Sequence, residues 1–168
     1  MKTLHDLLGM PLMTVQEGLR LGTLKGLEFA AADGRVRYLH FVGAETRADG
    51  VLPWASVRSV GTDAITVDSV SSVLEAVPPS KQPGEVTADV HDRPVITEGG
   101  THLGKVTDYD INEVTGRIER YRVATGGFVG RLTHSEIAFP HDAVRAFGQD
   151  AVIVADDVNP APGAEKSK

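Results

Sequence analysis

Apolar residues recur along this chain in short runs, and the runs come twice. In the first half Leu24, Leu27 and Phe29 are followed by Val36, Leu39 and Phe41. In the second half Val106, Tyr109 and Ile111 are followed by Ile118, Tyr121 and Val123. A half-buried strand alternates in steps of two, whereas a helix returns to one face every three or four residues. Each run here takes one step of three and then one of two. One extra residue in a strand makes a β-bulge, and bulges bend strands. The pattern therefore predicts a pair of long strands in each half, bent at matching places, as a small curved barrel requires. Between the paired runs, Ala32-Asp33-Gly34 and Val114-Thr115-Gly116 read as turns in which glycine is free to take positive φ.

The correspondence extends over most of the chain. Pro11 and Thr14 match Pro94 and Thr97 at an offset of 83. Leu21-Gly22, Phe29 and Gly34-Arg35-Val36 match Leu103-Gly104, Ile111 and Gly116-Arg117-Ile118 at 82. Pro53, Val57, Val60-Gly61 and the run Asp63 to Val67 match Pro140, Val144, Phe147-Gly148 and Asp150 to Val154 at 87. The offset changes near residues 16–20 and 43–50, where connecting loops absorb insertions. This is the signature of a duplicated unit. The expected fold is mainly β, with two tandem small, strongly bent β-barrels and one short linking helix. The first domain spans 1–77 and ends in that helix, with Val70, Val73, Leu74 and Val77 on one side of it. A Pro-rich linker covers 78–84, the second domain 85–158 and a disordered tail 159–168.

Composition narrows the class. Of 168 residues 41% are hydrophobic and 24% charged, which suits a folded domain rather than a disordered chain. The absence of cysteine removes disulfides and thiolate metal sites and points to a cytoplasmic setting. His5 and Asp6 interrupt the apolar N-terminal stretch, and no run of 18 apolar residues occurs, so no integral membrane segment is expected. The net charge is −6, of which the part after Gly84, with 9 basic and 14 acidic residues, carries −5. That balance makes nucleic acid an unlikely partner, because phosphate binding is driven by basic surface.

Candidate chemistry is sparse. Asp108, Asp110, Asn112 and Glu119 fall at calcium-loop positions 1, 3, 5 and 12. Position 6, which should be glycine, is Glu113, and the repeat predicts strands where helices should flank the loop. His5, His91 and His141 each precede an aspartate, but no further ligands at helical spacing accompany them. Nucleophile elbows and phosphate-binding glycine loops are missing too. No catalytic, cofactor-binding or metal-binding residues are therefore expected. Arg117, Arg120, Arg122 and Arg131 form the one basic concentration, interleaved with Glu119 and Glu136. The lone tryptophan, Trp54, packs at a barrel end or anchors a partner. These five residues are the candidate interaction residues.

Leu8-Gly9-Met10-Pro11, Leu21-Gly22, Asp33-Gly34-Arg35-Val36-Arg37, Leu52-Pro53-Trp54, Val57 to Gly61 and Asp63 to Val67 together resemble the PRC-barrel domain family. The second copy is a degenerate version, with His141 in place of Trp54 and Asp92-Arg93 in place of the leading Leu-Gly. The resemblance implies a small bent barrel that docks onto other macromolecules and carries no conserved catalytic chemistry. Such barrels occur in the cytoplasmic part of a photosynthetic reaction-centre subunit, in a ribosome maturation factor and in stand-alone bacterial or archaeal proteins. The expected role is a non-catalytic protein-interaction or assembly module with a protein partner, homodimerisation included. The alternative is an RNA- or ribosome-associated maturation factor.

Overall fold

A computed structural model describes residues 1–79, 90–125 and 136–158. The far end of the Pro-rich linker, the tail 159–168 and residues 126–135, with Arg131, lie outside the described residues. The first copy opens with strand β1 (Lys2–Thr3) and helix α1 (Leu4–Leu7). Thr3 and Asp6 cap that helix reciprocally, each side chain accepting from the other's backbone N–H. Strands β2 (Pro11–Thr14), β3 (Arg20–Phe29), β4 (Val36–Gly43), β5 (Gly50–Pro53), β6 (Val57–Val60) and β7 (Ile65–Val67) follow. The second copy contributes β8 (Pro94–Thr97), β9 (His102–Ile111), β10 (Ile118–Ala124), β11 (Glu136–Phe139), β12 (Val144–Phe147) and β13 (Val152–Val154).

The two copies share one topology. The spatial order is β5-β4-β3-β2-β7-β6 in the first and β11-β10-β9-β8-β13-β12 in the second. Their one parallel pairing also recurs in register, with Leu12 beside Ile65 and Val95 beside Val152. Strands β5 and β6 lie at opposite ends of the order, yet only the 3-10 turn Trp54–Ser56 joins them. Laid flat, five strand spacings would separate them by about 24 Å. The four Cα steps from Pro53 to Val57 reach about 14 Å at most. The sheet must therefore curl until its ends approach. The turn His141–Ala143 imposes the same on β11 and β12.

Bulges allow the bend. The β3/β4 register shifts between Leu24 and Gly26, inside the apolar step of three, so Lys25 is the extra residue. At the hairpin tip Gly34 has φ +68° and donates to the Ala30 carbonyl at 2.9 Å. Gly116, with φ +77°, repeats this bond to Asn112 at 2.7 Å. The apolar positions then point inward. Leu12, Leu27, Phe29, Leu39, Leu52 and Val67 are buried in the first copy, and Val95, Val106, Tyr109, Tyr121 and Phe139 in the second. The Tyr121 ring stacks on Phe139 at 5.6 Å.

The link after the first copy is helical for a single 3-10 turn, Val70–Ser72, with the Ser69 hydroxyl accepting from the Ser71 N–H. The chain then extends. Leu74 donates to the Val51 carbonyl at 2.8 Å and accepts from the Val51 N–H at 2.9 Å. Val70, Val73, Leu74 and Val77 thus do not share a helix face as the spacing predicted. Edge strand β5 offers unpaired backbone groups, and two cross-strand bonds outcompete another helical turn for a segment rich in β-branched valine. The described chain divides into two compact units, Met1–Asp89 with Ile111–Arg117, and Val90–Asp110 with Ile118–Lys168, as far as those residues are described.

Leu52 has no solvent exposure, whereas Val42 is 44% exposed. Leu52→Ala should lower the unfolding free energy by about 2–5 kcal/mol, and Val42→Thr by about 0.5 kcal/mol or less, in urea denaturation.

Candidate interaction surfaces

Strands β9 and β10 carry an ion-pair network at whose centre is a buried carboxylate. Asp110 is 3% exposed. Its Oδ2 accepts from Arg120 Nε and Nη2 at 2.9 and 2.7 Å and from Arg122 Nη2 at 3.1 Å. Its Oδ1 accepts from Arg122 Nε at 3.0 Å. Arg122 Nη1 also reaches Glu136 Oε1 on β11 at 3.3 Å. Burial pushes the Asp110 carboxyl up, but the hydrogen bonds and charges of Arg122 and Arg120 outweigh it and hold the group below the usual aspartate range. Arg122 is held above its ordinary value, chiefly by its bond to Asp110. Two of the predicted interaction arginines are thus brought together, and two carboxylates balance their charge.

The first copy has a counterpart at the same positions. Glu28, 82 residues before Asp110, pairs with His40, 82 residues before Arg122. Each copy therefore carries a cross-strand acid–base pair on its two long strands. Arg117 belongs to the other compact unit, the first, where its backbone forms an isolated bridge with Arg35.

Trp54 opens the 3-10 turn after β5 and is half-buried. In the same unit Gly116 presents its Cα to the indole, and a Cβ there would sit 2.8 Å from Trp54 Cε2 and Nε1. The ring thus has a packing partner that only glycine accommodates. His141 takes the place of Trp54 in the second copy, and its Nδ1 is 3.0 Å from the Tyr121 hydroxyl. Leu39 stands where Tyr121 does, so the two replacements compensate, and the imidazole meets a buried phenol that the first copy lacks.

The calcium-loop spacing is folded into a hairpin. Asp110 is committed to its arginines, and the Asn112 side-chain oxygen accepts from the backbone N–H groups of Val114 and Thr115 at 2.9 and 3.1 Å. Among the described residues no three His, Asp or Glu side chains gather as a metal-binding group. Nor is any described helix long and apolar enough to cross a membrane.

The first unit also has an open cleft of about 310 Å³ that the sequence reading did not assemble. Leu21, Phe41, Val73 and Leu74 are among the apolar residues that line it, and Arg47 and Glu75 among the charged ones. Glu17 clasps the segment leading to Val73, with Oε2 accepting from the Ser69 hydroxyl at 2.6 Å and Oε1 from the Val70 N–H at 3.1 Å. The signal in the sequence was the apolar grouping of Val70, Val73 and Leu74. Its placement depended on Leu74 pairing with Val51, which is long-range.

The family model of the PRC-barrel domain matches the chain twice, over residues 1–74 and 87–158. No curated protein matches it.

Asp110→Asn removes a carboxylate whose folded-state pKa is depressed. The stability it contributes is present above the ordinary aspartate range and is lost as pH falls through the folded value. At pH 7 the variant should be less stable by about 1–3 kcal/mol, since its partners Arg120 and Arg122 stay 54% and 32% exposed. Melting measured as a function of pH should show the gap from wild type closing below about pH 4. Gly116→Ala should destabilise by about 1–3 kcal/mol, because it adds a Cβ against the indole at positive φ. Thermal denaturation with Trp fluorescence reads both the loss and the altered indole environment.

Proposed function

The chain belongs to the PRC-barrel domain family, and from that premise we propose that it is a non-catalytic, cytoplasmic interaction and assembly module whose partner is a protein. The supporting observation is the Asp110 network. A binder of the phosphate backbone needs basic side chains free to neutralise phosphates. Here Arg120 and Arg122 both bond Asp110, and Arg122 also bonds Glu136. That balance disfavours the alternative, an RNA- or ribosome-associated maturation factor, which rests on family resemblance and on the cluster of which Arg120 and Arg122 are two members. The open cleft beside Leu74 supplies the apolar surface on which protein contacts concentrate.

Affinity capture with the full chain from native lysate, with and without nuclease and at high salt, tests the reading. Nuclease-resistant protein partners are expected. Leu74→Asp, which puts a charge in the cleft lining, should lower their recovery by about fivefold or more. Recovery that nuclease abolishes would overturn the proposal in favour of RNA.

A further inference from the structure

Strands β5 and β11 are equivalent edges of equivalent sheets, yet only one is closed by the described chain. The pairs Leu39 with Leu52 and His40 with Val51 recur in register as Tyr121 with Phe139 and Arg122 with Ala138. In the first copy this register turns the Val51 N–H and C=O away from β4, where Leu74 takes both. The same register turns the Ala138 N–H and C=O away from β10. Ala138 is exposed, and outside the β10–β11 ladder no described residue bonds either group. An open edge is a template for another strand.

We propose that β11 pairs antiparallel with β11 of a second copy of this chain, about a two-fold axis through Ala138. The two Ala138 residues would exchange both backbone bonds, as Val51 and Leu74 do within the chain. The methyl groups facing across the axis leave the strands free to approach. The charges on this face are self-complementary. Antiparallel pairing about Ala138 sets Glu136 opposite the partner's Pro140. The partner's Arg120 lies one strand further, as Tyr38 lies beside Pro53 in the first copy. Two strand spacings are about 10 Å, a gap that a glutamate and an arginine side chain can close together over a flat proline. Among the described residues Glu136 bonds Arg122 through Oε1, and Arg120 bonds Asp110 through Nε and Nη2. Glu136 Oε2 and Arg120 Nη1 remain for a contact that forms as the side chains turn towards the interface. The two-fold axis makes the contact twice, as an isologous interface requires.

The inference rests on the assembly reading but can fail separately from it. Light scattering on the full chain over a micromolar concentration series should show its mass rising towards that of a dimer. Glu136→Arg would face the partner's Arg120 with a like charge at two symmetric places and should weaken self-association by about tenfold or more, with Glu136→Gln milder. Amide exchange followed by NMR supplies a readout independent of folding effects. Ala138 protection should rise with concentration, while Val51, already bonded to Leu74, stays constant. A chain monomeric throughout the series overturns the proposal, as does a dimer whose Ala138 amide exchanges freely or one that Glu136→Arg leaves intact. A monomeric chain that still captures a nuclease-resistant protein partner overturns the self-pairing alone and leaves the assembly reading standing.

Discussion

Three residues, Trp54 to Ser56, join strands that lie at opposite ends of a six-strand path, and the rest of the first copy conforms to that short connection. A flat sheet cannot satisfy it, because the strand ends would be roughly twice as far apart as the link can reach. The long strands β3 and β4 must bend, and the bulge at Lys25 supplies the bend. Bending brings the inward faces together, so that Leu27, Phe29, Leu39 and Leu52 share one core. The second copy meets the same constraint with His141 to Ala143.

Within that common frame the two copies have diverged in concert rather than residue by residue. Leu39 and Trp54 in one copy become Tyr121 and His141 in the other, and the new phenol and imidazole are 3.0 Å apart. A buried hydroxyl without a partner would be costly, so tyrosine in the core calls for a polar neighbour. The long-strand pair follows the same logic. Glu28 with His40 becomes Asp110 with Arg122, and Arg120 joins from the position of Tyr38. A shorter, more buried acid is matched by more positive charge around it.

These changes bear on function through what they leave unused. Asp110 engages two arginines of the candidate basic concentration, and Glu136 offsets part of their charge. Leu74 consumes the outer edge of β5 and in doing so lines a cleft. Under the proposed reading, that cleft and the edge of β11 are two described surfaces that would take a polypeptide partner.

The residue order by itself determined the duplication, the strand periods and the sites of the bulges, because these depend on spacing along the chain. The apolar step from Leu24 to Leu27 marks the β3 bulge, and the matched glycines mark both hairpin tips. The sequence also brought Trp54, Arg120 and Arg122 to notice as candidates. Only the tertiary structure decided what they do, because their partners are distant in sequence or hidden by ambiguous type. Asp110 read as a calcium-loop position, and its distance of ten and twelve residues from Arg120 and Arg122 shows as contact only once β9 and β10 pair. The helical spacing of Val70, Val73, Leu74 and Val77 was real, yet it lost to the backbone of Val51. A local pattern reports what a segment can form alone; an open strand edge elsewhere offers it hydrogen bonds that the pattern does not contain.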